Sequence, residues 1–128
     1  MKKILFFVAI LFTTLAFSQE VDFKKGVVYV DGKECLKYDS TDPNNVSFSD
    51  LEGNEIFFLK FIHNSRYGSV YNKITFIDQK LTFTSQSYVF SKKLLIKKLL
   101  ADKTLLECKL DAEKVEKFVI KYDENVER

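Results

Sequence analysis

The chain has no tryptophan, one proline, four glycines, one histidine and two cysteines in 128 residues, and each shortage removes a class of protein. Scarce glycine and proline exclude collagen-like and low-complexity architectures, while 46% hydrophobic residues and thirteen phenylalanines supply what a packed core needs. A single histidine, His63, leaves a zinc site of the common type without paired ligand spacing, since it would have to recruit carboxylates or both cysteines. It also leaves serine chemistry unsupported. Ser65 lies two residues away, but neither strand alternation nor loop irregularity sets it against His63 and a carboxylate in the required order, and no G-x-S-x-G sequence occurs. Asp39, Asp42 and Asp50 do not have the spacing of a calcium loop. No metal and no cofactor are expected.

The charge excess is small, with 20 basic against 18 acidic residues, and it sits at the N-terminus. Lys2 and Lys3 precede the apolar run Ile4 to Phe12, and Ala16-Phe17-Ser18 places small residues where a signal peptidase reads. Residues 1–18 are therefore expected to be a cleavable export signal of the bacterial type, with Gln19 opening the mature chain. The wider stretch Ile4 to Phe17 is about 14 residues long and contains Thr13 and Thr14, too short for a bilayer core that needs about 20. No cysteine stands near the cleavage point to carry a lipid anchor. Removing the signal takes away two lysines and no acid, so the mature chain is balanced in charge. A nucleic-acid partner is then disfavoured, because phosphate neutralisation needs a basic excess. The expected location is periplasmic or extracellular, with no integral membrane segment after cleavage.

The remaining residues, 19–128, fit one domain, with no repeat or linker to divide them. Cys35 and Cys108 are the two cysteines. In an oxidising compartment they can form a disulfide that closes a loop of roughly 74 residues, for which chain entropy predicts about 4.5 kcal/mol. Two small buried thiols are the alternative.

Strand patterns come first. Val27–Val30 and Lys33–Tyr38 flank Asp31-Gly32, a dipeptide suited to the positive φ angles of a type I′ hairpin. The stretch Asp39 to Asn45, which includes Pro43, reads as a surface loop. Val46–Leu51 and Glu55–Ile62 flank Glu52-Gly53-Asn54, and apolar residues on both faces of Glu55–Ile62 place it inside the sheet. A polar loop from His63 to Ser69 leads into Val70–Ile77 and Lys80–Thr84, which alternate with period two. The period changes at Ser91, an N-cap for a helix with Leu95, Ile96, Leu99 and Leu100 on one face. Asp111 caps a second helix whose stripe is Val115, Phe118, Val119 and Tyr122, with Glu113 and Lys117 spaced as an ion pair. Strands followed by helices predict the α+β class: an antiparallel sheet of five to six strands, then two C-terminal amphipathic helices packed on one face.

Chemistry is sparse in this frame. The aromatic and basic residues around the expected loop, Arg66, Tyr67 and Tyr71 together with His63, have the composition of a partner-binding surface. Asp39, Asp42, Asp50, Glu52 and Glu55 are numerous enough for a two-carboxylate hydrolase, though acids in turns ordinarily accept backbone amide bonds. The lysine-rich helix after Ser91 resembles membrane-surface helices, but a balanced chain without tryptophan favours a helix that covers a core. The expectation is a non-catalytic exported module that binds an unknown protein or envelope component through a sheet face or the Arg66–Tyr67 region. The alternatives are a carrier of an apolar small ligand, prompted by the Phe-rich strands, and a small carboxylate-dependent hydrolase.

Overall fold

Five two-residue connections join strands among the described residues, and three of them put both residues at positive φ. In a computed structural model of the protein, which describes residues 19–87 and 89–127, Asp31 and Gly32 have φ of 53° and 79°. This is the type I′ geometry that the Asp-Gly dipeptide predicts, and it joins β2 (Val27–Val30) to β3 (Lys33–Asp42). Lys25 and Gly26, at 48° and 80°, repeat the turn and add a strand ahead of it, β1 (Val21–Lys24). The expected export signal lies outside the described residues.

The main sheet continues through β4 (Asn45–Ser49), β5 (Glu55–Ser65), β6 (Gly68–Phe76) and β7 (Leu81–Ser85), every neighbour antiparallel, in the order β1 to β7. Two helices follow, α1 (Lys92–Ala101) and α2 (Ala112–Tyr122), separated by a small ladder of β8 (Leu105–Leu106) and β9 (Lys109–Leu110). The fold is α+β as expected, but the sheet has seven strands rather than five or six. The extra strand is β1, hidden because a lysine stands where a turn of this type usually carries Asn, Asp or Gly.

Two expected loops are also strand. Asp39 to Asp42 continue β3 through a register irregularity, and β4 starts at Asn45. Asp39 and Asp42 bond to their own neighbours' amides there while the backbone remains extended, so turn-forming side chains did not end the strand. The polar segment from His63 to Ser69 is mostly ladder: His63 pairs with Val70 and Ser65 with Gly68, leaving only Arg66-Tyr67 as the turn.

One face of the sheet makes the core. Phe48 and Phe57 stack at 4.6 Å, Phe57 meets Phe76 at 5.7 Å and Phe76 meets Phe83 at 6.4 Å, carrying rings across four adjacent strands. Phe118 of α2 meets Phe76 and Phe83 edge-on at 6.2 and 5.7 Å. Leu95, Ile96 and Leu99 of α1 are fully buried in the same cluster, so the apolar stripe of the lysine-rich helix is spent inside the protein. Lys92 of that helix lies 5.1 Å over Phe23 and 4.8 Å over Tyr38, a cation held on the rings of β1 and β3.

Both helix starts follow the sequence. Ser91 Oγ accepts from Leu94 N at 3.1 Å, and Asp111 Oδ1 accepts from Glu113 N and Lys114 N at 3.0 and 3.2 Å. The Glu113–Lys117 spacing does not close into an ion pair. Helix α1 ends with Thr104 N bonded to Leu99 O, Lys103 N bonded to Leu100 O, and Lys103 at φ 58°, a Schellman stop built without glycine.

Cys35 and Cys108 form a disulfide with Cα atoms 5.2 Å apart. It joins a bulge in β3 to the β8–β9 turn, where Glu107 and Cys108 both have positive φ. Among the described residues no helix is long and apolar enough to cross a membrane.

Candidate functional site

Strand alternation gives every second side chain to the face opposite the core, and the two halves of that outer face differ. Over β6 and β7 the C-terminal tail covers it. Glu124 N donates to Thr84 O at 2.8 Å and Asp123 accepts from Thr84 N at 3.2 Å, closing the open edge of β7. The tail then turns onto the face, where Val126 N donates to Thr84 Oγ1 and Glu127 accepts from Tyr71 Oη at 2.6 Å and Lys73 Nζ at 2.9 Å. The Tyr71 hydroxyl, followed by Lys73, holds the Glu127 carboxyl below its ordinary range. Burial, together with that carboxylate, pushes the Tyr71 phenol up.

The half formed by β3, β4 and β5 stays open. There a shallow concavity of about 410 Å³ is lined by Asp39, Thr41, Asp42, Asn45, Ser47, Glu55, Phe58 and Lys60, with Val46 contributing to the wall. Ser47 pairs with Phe58 across the β4–β5 ladder, and Lys60 follows two residues on, its Nζ 5.6 Å from the Phe58 ring centroid. The rim is acidic. Asp39 accepts from Thr41 Oγ1 at 2.6 Å and Thr41 N at 2.9 Å, bonds that lower its pKa with the hydroxyl acting most strongly. Asp42 accepts from Asn44 N and Asn45 Nδ2, and the Asn44 amide leads in lowering its pKa. Ser47 Oγ donates to the Glu55 carboxylate. Three carboxylates thus face one ammonium around an aromatic patch.

Such a surface holds fixed negative charge beside a ring, the chemistry of binding a cationic or hydrogen-bond-donating partner. A general acid needs a carboxyl with a raised pKa, whereas hydrogen bonds shift Asp39 and Asp42 of this rim the other way. Among the described residues, Asp39, Asp42, Asp50, Glu124 and Glu127 are displaced from their ordinary values, each lowered by hydrogen bonds. Among the described residues no group of three or more His, Cys, Asp or Glu is placed to hold a metal ion.

The four residues singled out in the sequence are not gathered into one surface. His63 is exposed on β5, its Nε2 3.0 Å from Asn44 Oδ1. Arg66 and Tyr67 form the tip of the β5–β6 hairpin, where the guanidinium bonds the neighbouring hydroxyl at 2.5 Å and stacks 4.8 Å from its ring. Tyr71 is 1% exposed beneath the tail, on the opposite face from His63, so it is not part of an accessible aromatic cluster. Phe58, Ser47 and Lys60, which line the open concavity, are not among those four. The signal for Phe58 was present: Ile56-Phe57-Phe58-Leu59 puts apolar residues on both faces, and the outward ones need a cover or a use.

No family model, curated protein or solved structure matches this chain.

Proposed function

We propose that the protein is an exported, non-catalytic binding module of the bacterial envelope that receives a partner on the open outer face of β3–β5. The carrying observation is the concavity with Phe58 and Lys60 inside an acidic rim of Asp39, Asp42 and Glu55. Its excess of negative charge fits an extended protein segment that offers a basic side chain to the rim and apolar contact to Phe58. The Lys2-Lys3 signal pattern and the Cys35–Cys108 bridge support a working place outside the reducing cytoplasm.

The alternatives have less behind them. The phenylalanines that suggested an apolar carrier, Phe48, Phe57, Phe76 and Phe83, are consumed by ring contacts with one another and with Phe118. The hydrolase reading wants one protonated acid beside an ionised one, whereas Asp39 and Asp42 are both held ionised.

The test is photo-crosslinking in intact cells with a benzophenone side chain in place of Phe58, against the same group at Ile120, which is 78% exposed on α2. One adduct of defined mass from position 58, lost when Asp39 and Asp42 are changed to Asn, supports the reading. Equal adducts from both positions, or none from 58, refute it.

A further inference from the structure

The segment that follows α2, residues 123–127, crosses back over the sheet and is held there chiefly by its own carboxylates. Asp123 Oδ1 accepts from Thr84 N at 3.2 Å and from Asn125 N at 2.9 Å. Glu124 Oε1 accepts from the two amides just beyond β7, Gln86 N at 2.8 Å and Ser87 N at 2.9 Å. Glu127 takes the Tyr71 hydroxyl on one oxygen and the Lys73 ammonium on the other, at 2.6 and 2.9 Å. The amides of Glu124 and Val126 donate to Thr84 O and Thr84 Oγ1, both at 2.8 Å, and Val126 is the one apolar side chain of the segment. Every acid of the segment is thus a latch onto β6, β7 or the two residues after β7.

Beneath these latches Tyr71 is 1% exposed and Thr84 6% exposed. Tyr71 and Lys73 pair across the ladder with Ile62 and Lys60 of β5, so the covered half is continuous with the open face that carries Phe58 and Lys60. The titratable groups around Glu127 are Tyr71 and Lys73 of β6, with Lys60 one strand further on. At the end of α2, Lys121 is turned to Asp102 and Tyr122 packs against Phe90 and Phe118. A hydrogen bond to an ionised carboxylate is roughly twice as strong as one to a neutral acceptor. A proton on Glu124 or Glu127 removes that assistance, and on Glu127 it also ends the ion pair with Lys73. The Glu127 side chain is 28% exposed, so solvent protons reach it without the core opening. That core is built of rings and backbone ladders, which have no proton to gain.

We infer that residues 123–127 are a strap that acid opens: when its glutamates take up protons the segment leaves β6 and β7 while the core stays folded, and the outer face widens from Phe58 and Lys60 to Lys73, Tyr71 and Thr84. The latching bonds hold both carboxyls below the ordinary glutamate value of 4.5, led by the Ser87 amide at Glu124 and by the Tyr71 hydroxyl at Glu127. A lowered folded pKa keeps a latch closed above the ordinary value and releases it as pH falls through the folded one, so the strap opens below pH 4.5. Opening needs no partner at Phe58 and stands independently of the binding reading.

The experiment takes the exported protein with its disulfide intact from about pH 7 to about pH 3, following hydrogen-exchange protection of each amide by NMR and the core by circular dichroism. The expected result is that Thr84, Gln86, Glu124 and Val126 lose at least about tenfold in protection together below pH 4.5, while Ile74, Phe118 and the helical signal are unchanged. A neutral gadolinium chelate then broadens the Tyr71 ring signals at the acid end and not at neutral pH. Glu124→Gln combined with Glu127→Gln is uncharged at every pH, so it shows the open strap at neutral pH and no acid midpoint. Three results overturn the proposal: strap amides that lose protection only together with the core, a double variant that titrates as wild type, or a Tyr71 ring still shielded once the strap amides exchange.

Discussion

Replacing both Cys35 and Cys108 with alanine removes a crosslink between residues 73 apart in sequence. Closing a loop of that length withdraws about 15 cal/mol/K from the unfolded chain, or about 4.4 kcal/mol at 25 °C, and measured native bridges usually contribute about 2–4 kcal/mol. The bridge spans the β3 bulge and the β8–β9 turn, so it ties the sheet to the segment between the two helices. A loss of about 3–4 kcal/mol is expected, a large part of the roughly 5–15 kcal/mol that stabilises a domain. With about 2.1 cal/mol/K of unfolding entropy per residue over about 110 residues, the thermal midpoint falls by about 13–17 °C. Urea unfolding monitored by circular dichroism reads two quantities. The stability falls, and the denaturant slope rises, because an uncrosslinked unfolded chain exposes more surface. Reduced wild type supplies the control for the packing of the sulfur atoms. A loss below about 1 kcal/mol with an unchanged slope would falsify the chain-entropy account of this bridge.

Lys103→Gly places glycine at the left-handed stop of α1, where Lys103 now has φ 58°, and should add about 0.5–1 kcal/mol in urea denaturation; a loss would show that the lysine side chain outweighs its backbone cost. Phe118→Ala, which empties the position between Phe76 and Phe83, should cost about 3–5 kcal/mol by the same assay, and a cost under about 1 kcal/mol would mean that α2 is not anchored there. Glu127 titrates below the ordinary glutamate value of 4.5 because the Tyr71 hydroxyl and Lys73 favour its charged form. A lowered folded pKa gives stability that is present above the unfolded value and is lost as pH falls through the folded one. Wild type should therefore lose more stability than Glu127→Gln on acidification below pH 4.5, and parallel acid profiles would show that the tail contact is not coupled to folding.

Interactions within a few residues were legible in the sequence. Ser91 and Asp111 cap their helices through amides two or three positions ahead, and Asp31-Gly32 meets the φ requirement of its turn by its own chemistry. The α+β order followed from the change of hydrophobic period near Ser91. Strand limits were less legible, because Asp39 to Asp42 and His63 to Ser65 extend only where a neighbouring strand bonds them, and turn-forming side chains tolerate that extension. Lys25-Gly26 concealed β1 because its turn is selected by the β1–β2 ladder rather than by an Asn-Gly or Asp-Gly pair.

The sequence by itself determined the class of the fold, the helix starts, the one hairpin with a strong turn signal and the candidacy of two cysteines for a bridge. Tertiary structure decided the pairing and the surfaces. The cysteines needed their Cα atoms 5.2 Å apart, a distance set by the β3 bulge and a turn some seventy residues later. Tyr71 was buried by a polar tail with no hydrophobic period to betray it, held by Thr84 and Lys73. That same tail covers one half of the outer sheet and leaves Phe58 and its acidic rim open on the other. Local patterns record what a residue does for its own segment, whereas a site is defined by which segments meet, and that is settled by burial and register across the whole chain.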